Sequence, residues 1–460
     1  MTGRVAAGPD SLRVVSVPLP PGLPIDPLAV AGADGVAFCS PWLVLAGRGV
    51  AAELELPAGL DSPTDLRAAG ASLADIPYED RVGRPGSGVV AQTALPFRRG
   101  APGRLVLPRL TYGRDERGHE WVTLVTGPGE PAGALDPARL RHELSSAGPA
   151  PGPVDDDLTP TAPAVRAEAP GAYADAVATA VAAIRAGTLD KVVLARAVEL
   201  EFASPPSPLG ALRRLHAREP SCTAFLHPVA GGWFLGASPE LLVSRRGRRV
   251  RCNPLAGTVG LPGGSGPDDE AAARLRRSAK DRGEHRLVVE EVAATLEPCC
   301  SRLDVPATPS LVRLRSVAHL ATTIAGTLRS VGGRAPGVLE LVGLLHPTPA
   351  VGGVPRSAAL SLIEELEPGD RQHWAGPVGW VDARGDGDFV IGIRSATLAG
   401  PRVTVRAGCG IVEASDPAAE LAEASVKLAS VLGALAPALA PALGGDLLAG
   451  SGRSAAGVIG

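Results

Sequence analysis

The residues with the clearest capacity for chemistry are carboxylates on two predicted helices. Residues 280–285 read Lys-Asp-Arg-Gly-Glu-His, and residues three and four apart on a helix share a face. This spacing places Glu284 on the apolar stripe that contains Val288. A buried carboxylate needs a cation, and an ion pair with Arg282 or Lys280 is the simpler interpretation of this segment alone.

A second acidic helix follows near the end of the chain. Asp416 is placed to cap it, and Glu420, Glu423 and Lys427 follow at spacings of three and four. Glu423 and Lys427 could form an exposed pair worth only about 0.3–0.5 kcal/mol. Together with Glu284, however, the two helices each offer an acid, which suits Mg²⁺ held by one or two carboxylates.

An arginine on a predicted strand is a candidate anion ligand. Alternation over residues 389–398 places Arg394 on a face with small residues, and a turn near Gly400 brings it close to Arg406 and Gly408. An arginine fork beside exposed backbone N–H groups binds carboxylates. A surface arginine on a strand edge fits the same pattern.

Two further residues have the types needed for proton transfer. Lys191 begins an alternating apolar strand, and as a general base it would have to be uncharged near neutral pH, which partial burial favours. Glu240 follows Pro239 at a junction between two strands, and as a general acid it would have to hold a proton. A solvated lysine and a turn carboxylate are the alternatives.

Composition excludes several classes of function. The 460 residues carry a net charge of −3, with a pI near 6.3, which offers no basic field for nucleic acid or anionic lipid. The six cysteines show no Cys-x-x-Cys spacing, so structural zinc and a disulfide framework are not indicated. No secretory signal is evident, and prolines interrupt the uncharged stretch 428–445, so we expect a cytoplasmic protein without a membrane span.

The distribution of elements predicts an α+β fold with layered α/β character. Residues 1–150 contain strand candidates, residues 151–170 are rich in Pro, Ala and Asp and are predicted to be a linker or surface loop, and residues 434–460 form a low-complexity tail. A helical pattern covers 269–296, and antiparallel strands are predicted at 379–382, 389–398 and 402–407. Residues 171–433 contain all of the candidate chemical residues.

Ten segments in one order resemble the chorismate-utilising enzymes, and specifically the isochorismate synthases. They lie at 190–196, 236–240, 254–258, 280–285, 319–322, 345–350, 376–380, 393–394, 407–412 and 423–427. The resemblance covers about residues 165–433 and implies two stacked, largely antiparallel sheets flanked by helices. Residues 1–150 resemble the variable N-terminal part of such enzymes only loosely.

A few positions favour one branch of that family. Aminodeoxychorismate synthases place a lysine where this chain has Ala256, and anthranilate synthases have Ala-Glu-Asn in place of residues 283–285. Both aminating branches lack a counterpart of Lys191, so water is the implied nucleophile and no glutaminase subunit is expected. Salicylate synthases share that lysine but differ at 346–350. A salicylate synthase, which goes on to eliminate pyruvate, is therefore one alternative, and a catalytically silent chorismate-binding subunit is another.

The resemblance implies a role for each candidate residue. Lys191 and Glu240 would be base and acid on opposite sides of the chorismate ring, and Mg²⁺ would be held by Glu284 and Glu423, with Glu420 nearby. The substrate would contact a set of residues that comprises Gly257, Thr258, His319, Ala350, Arg394, Gly408 and Lys427. One departure is the stretch 259–264, which stands where the family commonly has an arginine. A monomer is expected, and menaquinone, siderophore or specialised metabolism could use the product.

Overall fold

A computed structural model describes residues 12–20, 25–32, 34–127, 144, 163–167, 169–261 and 270–439. Its helices are α1 (Pro27–Ala31), α2 (Pro63–Asp75), α3 (Pro170–Arg185), α4 (Pro208–Arg218), α5 (Glu270–Arg277), α6 (Ala279–Leu296), α7 (Val338–Leu345), α8 (Arg356–Leu366) and α9 (Pro417–Leu435). Short 3₁₀ turns follow α6 and α9, at Glu297–Cys299 and Pro437–Leu439.

Strands make up most of the remaining regular structure. Those of the first half are β1 (Arg13–Pro18), β2 (Val36–Cys39), β3 (Leu43–Leu56), β4 (Tyr78–Asp80), β5 (Val90–Ala94), β6 (Gly103–Asp115), β7 (Glu120–Thr126), β8 (Ala164–Ala167), β9 (Lys191–Glu201), β10 (Thr223–Val229) and β11 (Gly232–Ser238). Those of the second half are β12 (Leu241–Arg246), β13 (Arg249–Asn253), β14 (Leu255–Gly260), β15 (Cys300–Asp304), β16 (Ser310–Arg313), β17 (Val317–Ala321), β18 (Ile324–Leu328), β19 (Gly353–Val354), β20 (Pro377–Asp382), β21 (Gly387–Ile391), β22 (Ser395–Ala399) and β23 (Arg402–Ile411).

The strand pairings form two large layers that are joined at β6. One layer runs β4-β1-β7-β6-β3-β2-β10-β11-β22-β23-β9, and the other runs β5-β20-β21-β12-β13-β18-β15. The long strand β6 pairs with β3, β5 and β7, so it belongs to both layers. Of these pairings only β1 with β4 is parallel within the described residues. A small separate sheet has the order β14-β17-β16.

Apolar side chains hold the layers together. An aromatic-rich cluster between the two layers contains Trp121, Phe225, Phe234 and Trp380, all of them fully buried. Helices α2, α6, α7 and α8 contribute to a second cluster, and helices α4 and α9 contribute to a third, which contains β10 and β11. Burial of these faces supplies the main favourable term for folding. The predicted α+β class, with two stacked sheets flanked by helices, is confirmed.

Two predicted elements are interrupted in the structure. The strand predicted at 389–398 is two strands, β21 and β22, because the backbone turns at Arg394, which has a φ of 52°. The face assigned to Arg394 by alternation was therefore wrong. The helix predicted at 269–296 is broken between α5 and α6, where the Ser278 side chain accepts a hydrogen bond from the Asp281 N–H group and starts a new helix.

The described residues include only parts of the predicted linker and tail. Within the predicted linker, residues 164–167 form β8, which pairs with β9, whereas residues 151–162 and 168 lie outside the described residues. Most of the predicted tail, residues 440–460, also lies outside them. Strands from residues 1–150 pair with strands of the later region in both layers, through β2 with β10 and β5 with β20. None of the described helices is long and apolar enough to cross a membrane.

Candidate active site

A narrow cavity of about 70 Å³ lies among β14, β23, α6 and α9. Ten of the predicted site residues line it, namely Glu240, Gly257, Thr258, Glu284, His319, Ala350, Arg394, Gly408, Glu423 and Lys427. Pockets that bind small molecules usually measure about 300–1,000 Å³. A ligand of ordinary size therefore requires some of the lining side chains to move.

Lys191 lies directly behind the residues that line this cavity. As the first residue of β9 it is completely buried, and its Nζ atom is 3.0 Å from Oε1 of Glu284. The partner expected for Glu284 from sequence alone, Lys280 or Arg282, was therefore wrong. A lysine and a carboxylate from elements 93 positions apart neutralise each other at the edge of the cavity.

Glu240 is positioned by the turn between β11 and β12. Its backbone N–H group donates to Oγ of Ser238, and its Oε1 atom accepts a long hydrogen bond of 3.4 Å from the Leu255 N–H group. Burial is the main cause that raises the pKa of Glu240 to about 8, although Leu255 and the charge of Lys191 oppose the shift. The carboxyl group therefore holds a proton at neutral pH, as a general acid requires.

The two acids at the start of α9 are each paired with a lysine. Lys280 donates to Oε1 of Glu420 at 2.5 Å, and Lys427 Nζ is 2.6 Å from Oε1 of Glu423. Burial and the nearby charge of Glu423 raise the pKa of Glu420, against the effect of Lys280. For Glu423, burial alone would raise the pKa, but the charge and hydrogen bond of Lys427 outweigh it and the pKa is lowered.

Asp416 caps α9 as predicted, because its side chain accepts from the Ala419 N–H group at 2.8 Å. This cap fixes the first turn of the helix, which carries Glu420. Glu423 lines the cavity, whereas Glu420 is buried behind it. The spacing of three thus gives one acid that faces the cavity and one that supports it.

Arg394 and His319 form another part of the cavity wall. The Arg394 guanidinium donates to Nε2 of His319 at 3.3 Å, and Nδ1 of His319 is 3.1 Å from Oγ1 of Thr258. Burial, followed by the charge of Arg394, holds the pKa of His319 well below its usual range. The imidazole is therefore neutral, and an acceptor at Nε2 places its proton on Nδ1, which faces Thr258 and the Gly257 carbonyl.

Gly257 has a structural reason for being glycine. Its φ is 74°, and a Cβ atom would lie 3.0 Å from Cβ of Asp281 on α6. The pairing of β14 with β17 shifts its register between Ala256 and Thr258, so the bulge is at this residue. The bulge brings the Gly257 carbonyl and the Thr258 hydroxyl to the same histidine.

The last part of β23 forms the floor of the cavity. The pairing of β22 with β23 ends at Val405, whereas β9 continues to pair with β23 as far as Ile411. Arg406, Ala407, Gly408 and Gly410 therefore line the cavity beyond the end of β22. The carbonyl of Gly408 accepts a hydrogen bond of 2.9 Å from Lys427.

Sequence reasoning passed over Gly410. A Cβ atom there would lie 2.0 Å from Oε1 of Glu284 and 2.8 Å from Cε of Lys191. The sequence feature that could have identified Gly410 is the Gly-x-Gly spacing of residues 408–410. Its second glycine is the one that makes room for the ion pair.

Trp374 is another lining residue that the sequence did not single out. It is 5% exposed, and its indole Nε1–H has no hydrogen-bond partner among the described residues. A buried donor without a partner is unusual in folded proteins. No motif in the sequence marks this residue, and only the structure identifies it.

The donor set suits a hard divalent cation. Glu284 and Glu423 face one cavity, Glu420 adjoins Glu423, and each of the three is neutralised by a lysine ammonium group. Mg²⁺ prefers such carboxylate oxygens and binds through one or two of them. A cation there would have to compete with the three lysines.

Comparisons with known proteins agree with one another. The family model described as chorismate binding enzyme matches residues 103–436. A putative isochorismate synthase MenF of Mycobacterium tuberculosis is 47% identical over 258 residues, which cover 54% of this chain and 68% of that protein. The isochorismate synthase EntC of Escherichia coli is 42% identical over 257 residues, or 56% of this chain and 65% of the relative.

Solved structures extend the similarity to the N-terminal region. The menaquinone-specific isochorismate synthase MenF of Escherichia coli is similar over 92% of this chain and 94% of its own, with a TM-score of 0.74 and 28% identity. Anthranilate synthase component I of Streptococcus pneumoniae gives a TM-score of 0.69 at 22% identity, over 85% of this chain and 92% of its own, which shows a shared fold.

Proposed function

Because the chain belongs to the chorismate-binding enzyme family, we propose that it is an isochorismate synthase, an isomerase that converts chorismate to isochorismate. The observation that carries this proposal is a buried Glu240, whose pKa burial raises, on the wall of a cavity that Glu284 also lines, with Lys191 paired to Glu284 from behind at 3.0 Å. An acid and a base at one site suit the exchange of a hydroxyl group between two ring carbons. The named relatives support the same reaction.

In the proposed reaction the hydroxyl group moves by addition and loss of water. Lys191, once uncharged, takes a proton from a water molecule while the oxygen of that water bonds to C2 of chorismate. Glu240 gives its proton to the C4 hydroxyl, which leaves as water while the ring double bonds shift. Atoms balance, since one water is gained and one is lost.

We propose magnesium as the cofactor, held by Glu284 and Glu423 with Glu420 in support. When bound, it would supply positive charge that orients the ring carboxylate and withdraws electron density. Arg394 and Gly408 would bind the second carboxylate, with Lys427 adding positive charge. His319, neutral and donating from Nδ1, would hold Gly257 and Thr258 in place beside the C4 side of the ring. Ala350 would border the ring.

Product analysis tests the reaction directly. The purified chain is incubated with chorismate and Mg²⁺, and the products are separated by chromatography. Isochorismate alone supports the proposal, whereas salicylate with pyruvate would identify a salicylate synthase. A chain that is inactive alone but regains turnover with a partner would identify a silent chorismate-binding subunit. We also propose a cytoplasmic monomer that needs no glutaminase subunit, which gel filtration and ammonia-independent turnover would support.

A further inference from the structure

Arg371 lies on the loop between α8 and β20, and it is buried beside the candidate site without lining its cavity. It forms an ion pair with Glu367, the residue that follows the end of α8. Its Nε–H group donates to Oε2 of Glu367 at 2.8 Å, and its Nη2–H group donates to Oε1 of the same carboxylate. Two hydrogen bonds to one carboxylate fix the orientation of the guanidinium plane.

The same guanidinium group also joins two parts of the cavity wall. Nη1 donates to the Val351 carbonyl at 2.7 Å, and Nη2 donates to the Val193 carbonyl at 2.7 Å. Val193 belongs to β9, Val351 precedes β19, and both residues line the cavity. One buried side chain therefore determines how far these two segments lie from each other.

These contacts lie along one edge of β9, between two of its partner strands. On this edge β19 pairs with the first two residues of β9, and β8 pairs with its last four. Between them, the Val193 carbonyl accepts from Arg371, and the Ala195 N–H group donates to Oε1 of Glu367 at 2.8 Å. The ion pair thus satisfies buried backbone groups that a neighbouring strand would otherwise have to satisfy.

Aromatic rings pack against the guanidinium group. Its Cζ atom lies 4.3 Å from the centre of the Phe97 ring and 5.1 Å from that of the Trp374 ring, within the range of cation–π contacts. Trp374 lines the cavity. Arg371 therefore contacts three residues of the cavity wall, which are Val193, Val351 and Trp374.

Stability alone is a weak reason for this arrangement. Burying an ion pair requires the desolvation of both charges, and apolar side chains of similar volume are often at least as stable. An apolar side chain, however, has no planar group of donors that could hold two carbonyl groups and a carboxylate in one geometry. The benefit of Arg371 is therefore geometric, and it concerns the cavity wall.

We propose that Arg371, held by Glu367, is a positioning residue for the reaction. It fixes the start of β9, which carries Lys191, against the segment of Ala350 and Val351, which would border the ring of chorismate. This inference rests on the proposed function, because it concerns the distance between the proposed base and the ring. Arg371 itself would not touch the substrate.

The test measures chorismate turnover by the full-length Arg371→Lys variant and by the unmodified chain, both with Mg²⁺. Lysine keeps the charge but has no planar fork, so it cannot make all of these hydrogen bonds in one geometry. We expect kcat per folded molecule to fall by at least about 10-fold, because a small displacement of a reacting group is costly. KM should stay within about threefold, because the hydrogen bonds of Arg371 do not involve Arg394, Gly408 or Lys427.

The matched control is Arg245→Lys. Arg245 is also buried, and it donates to Oδ1 of Asp386 at 2.6 Å and to the Arg384 carbonyl at 3.0 Å, but none of these three residues lines the cavity. This variant should lose stability and keep both kcat and KM. Thermal denaturation gives the folded fraction of each variant. A merely structural Arg371 would behave as the control does, with lower stability and an unchanged kcat per folded molecule.

Glu367→Gln is a second variant, which covers the case in which Arg371→Lys does not fold. It keeps the size of the side chain but holds Arg371 less firmly, so kcat should fall by at least about threefold with little change in KM. An unchanged kcat in whichever of the two variants folds would overturn the positioning role, and so would a rise in KM alone. An unmodified chain without turnover would refute the proposed function and this role together, whereas an active chain with equally active variants would refute only the role of Arg371.

Discussion

Lys191 and Glu240 are both buried, yet they meet different neighbours. Lys191 faces the carboxylate of Glu284 at 3.0 Å, whereas Glu240 accepts from one backbone N–H group at 3.4 Å and has no ion pair with any described residue. Burial without a close counter-ion favours the neutral carboxylic acid of Glu240. Glu240 therefore holds the proton that it has to donate, whereas the nitrogen proposed as the base lies against the Glu284 carboxylate.

Lys191→Ala should lower kcat by about 10²- to 10⁴-fold, the usual contribution of a positioned base. Chorismate binding, measured by calorimetry, should change little, because Lys191 does not line the cavity. The variant should also be less stable, since Glu284 is left without its cation, and Mg²⁺ should restore part of that stability. Turnover equal to that of the unmodified chain would remove Lys191 as the base.

The raised pKa of Glu240 predicts how kcat depends on pH. Its pKa is raised to about 8 in the folded chain, so the proton that it donates is present below that pH and is lost as the pH rises through it. We expect kcat to fall about tenfold for each pH unit above about 8. Glu240→Gln should be slower by about 10²-fold or more and should lack this alkaline limb. A glutamine variant with the same pH profile would contradict the assignment.

At the scale of elements, β23 is the strand that makes the site possible. It continues beyond the end of β22, and its glycines allow α6 and β9 to bring Glu284 and Lys191 together across it. A side chain at Gly410 would occupy the space of the ion pair. The site therefore depends on the absence of a Cβ atom on one strand.

Gly410→Ala should disrupt the site while it preserves the sheet. The added methyl group would lie 2.0 Å from Oε1 of Glu284, so the carboxylate must move, and we expect a loss of activity of at least about 10²-fold. Gly260→Ala on β14 is the control, because a Cβ atom there meets no atom within 4 Å. Circular dichroism should show folded protein for both variants. Full activity in Gly410→Ala would show that the site tolerates a side chain at this position.

The elements also show where sequence patterns stop being informative. The strand β9 and the cap at Asp416 are local, and both were predicted correctly, although the first six residues of β9 are all buried and its burial alternates only towards its end. The break at Arg394 was missed, because an arginine with positive φ is held there by surrounding structure and not by its own preference. Pairings such as Lys191 with Glu284 depend on strand and helix positions that periodicity alone does not determine.

For the whole molecule, the candidate site is a meeting point of distant parts of the chain. The first of the three lysine–carboxylate pairs joins β9 to α6, and the second joins α6 to α9. The third joins two successive turns of α9. Resemblance to a family identified five of the six members of this set, all except Lys280, because ten motifs in one order carry information that spacing does not. The partners within the set followed only from the structure.

The same three pairs make a prediction about magnesium and global stability. Mg²⁺ at about 100 times its Kd should stabilise the folded chain by about 2.7 kcal/mol, provided that the unfolded chain does not bind it. The melting temperature should therefore rise by a few degrees between excess chelator and saturating Mg²⁺. Glu284→Gln should reduce this rise and the Mg²⁺ dependence of turnover, because a neutral amide is a poorer ligand for a hard cation.

Glu290→Gln is the matched control for this experiment. Glu290 is an exposed acid on the same helix, and its nearest ion pair, with Arg286, is a weak one at 3.8 Å. Its loss should leave the response to Mg²⁺ unchanged. Full activity in excess chelator would refute the metal site. An equal rise in melting temperature for the Glu284 and Glu290 variants would show instead that magnesium binds elsewhere. Loss of a true magnesium ligand must reduce the stabilisation that magnesium gives to the folded chain.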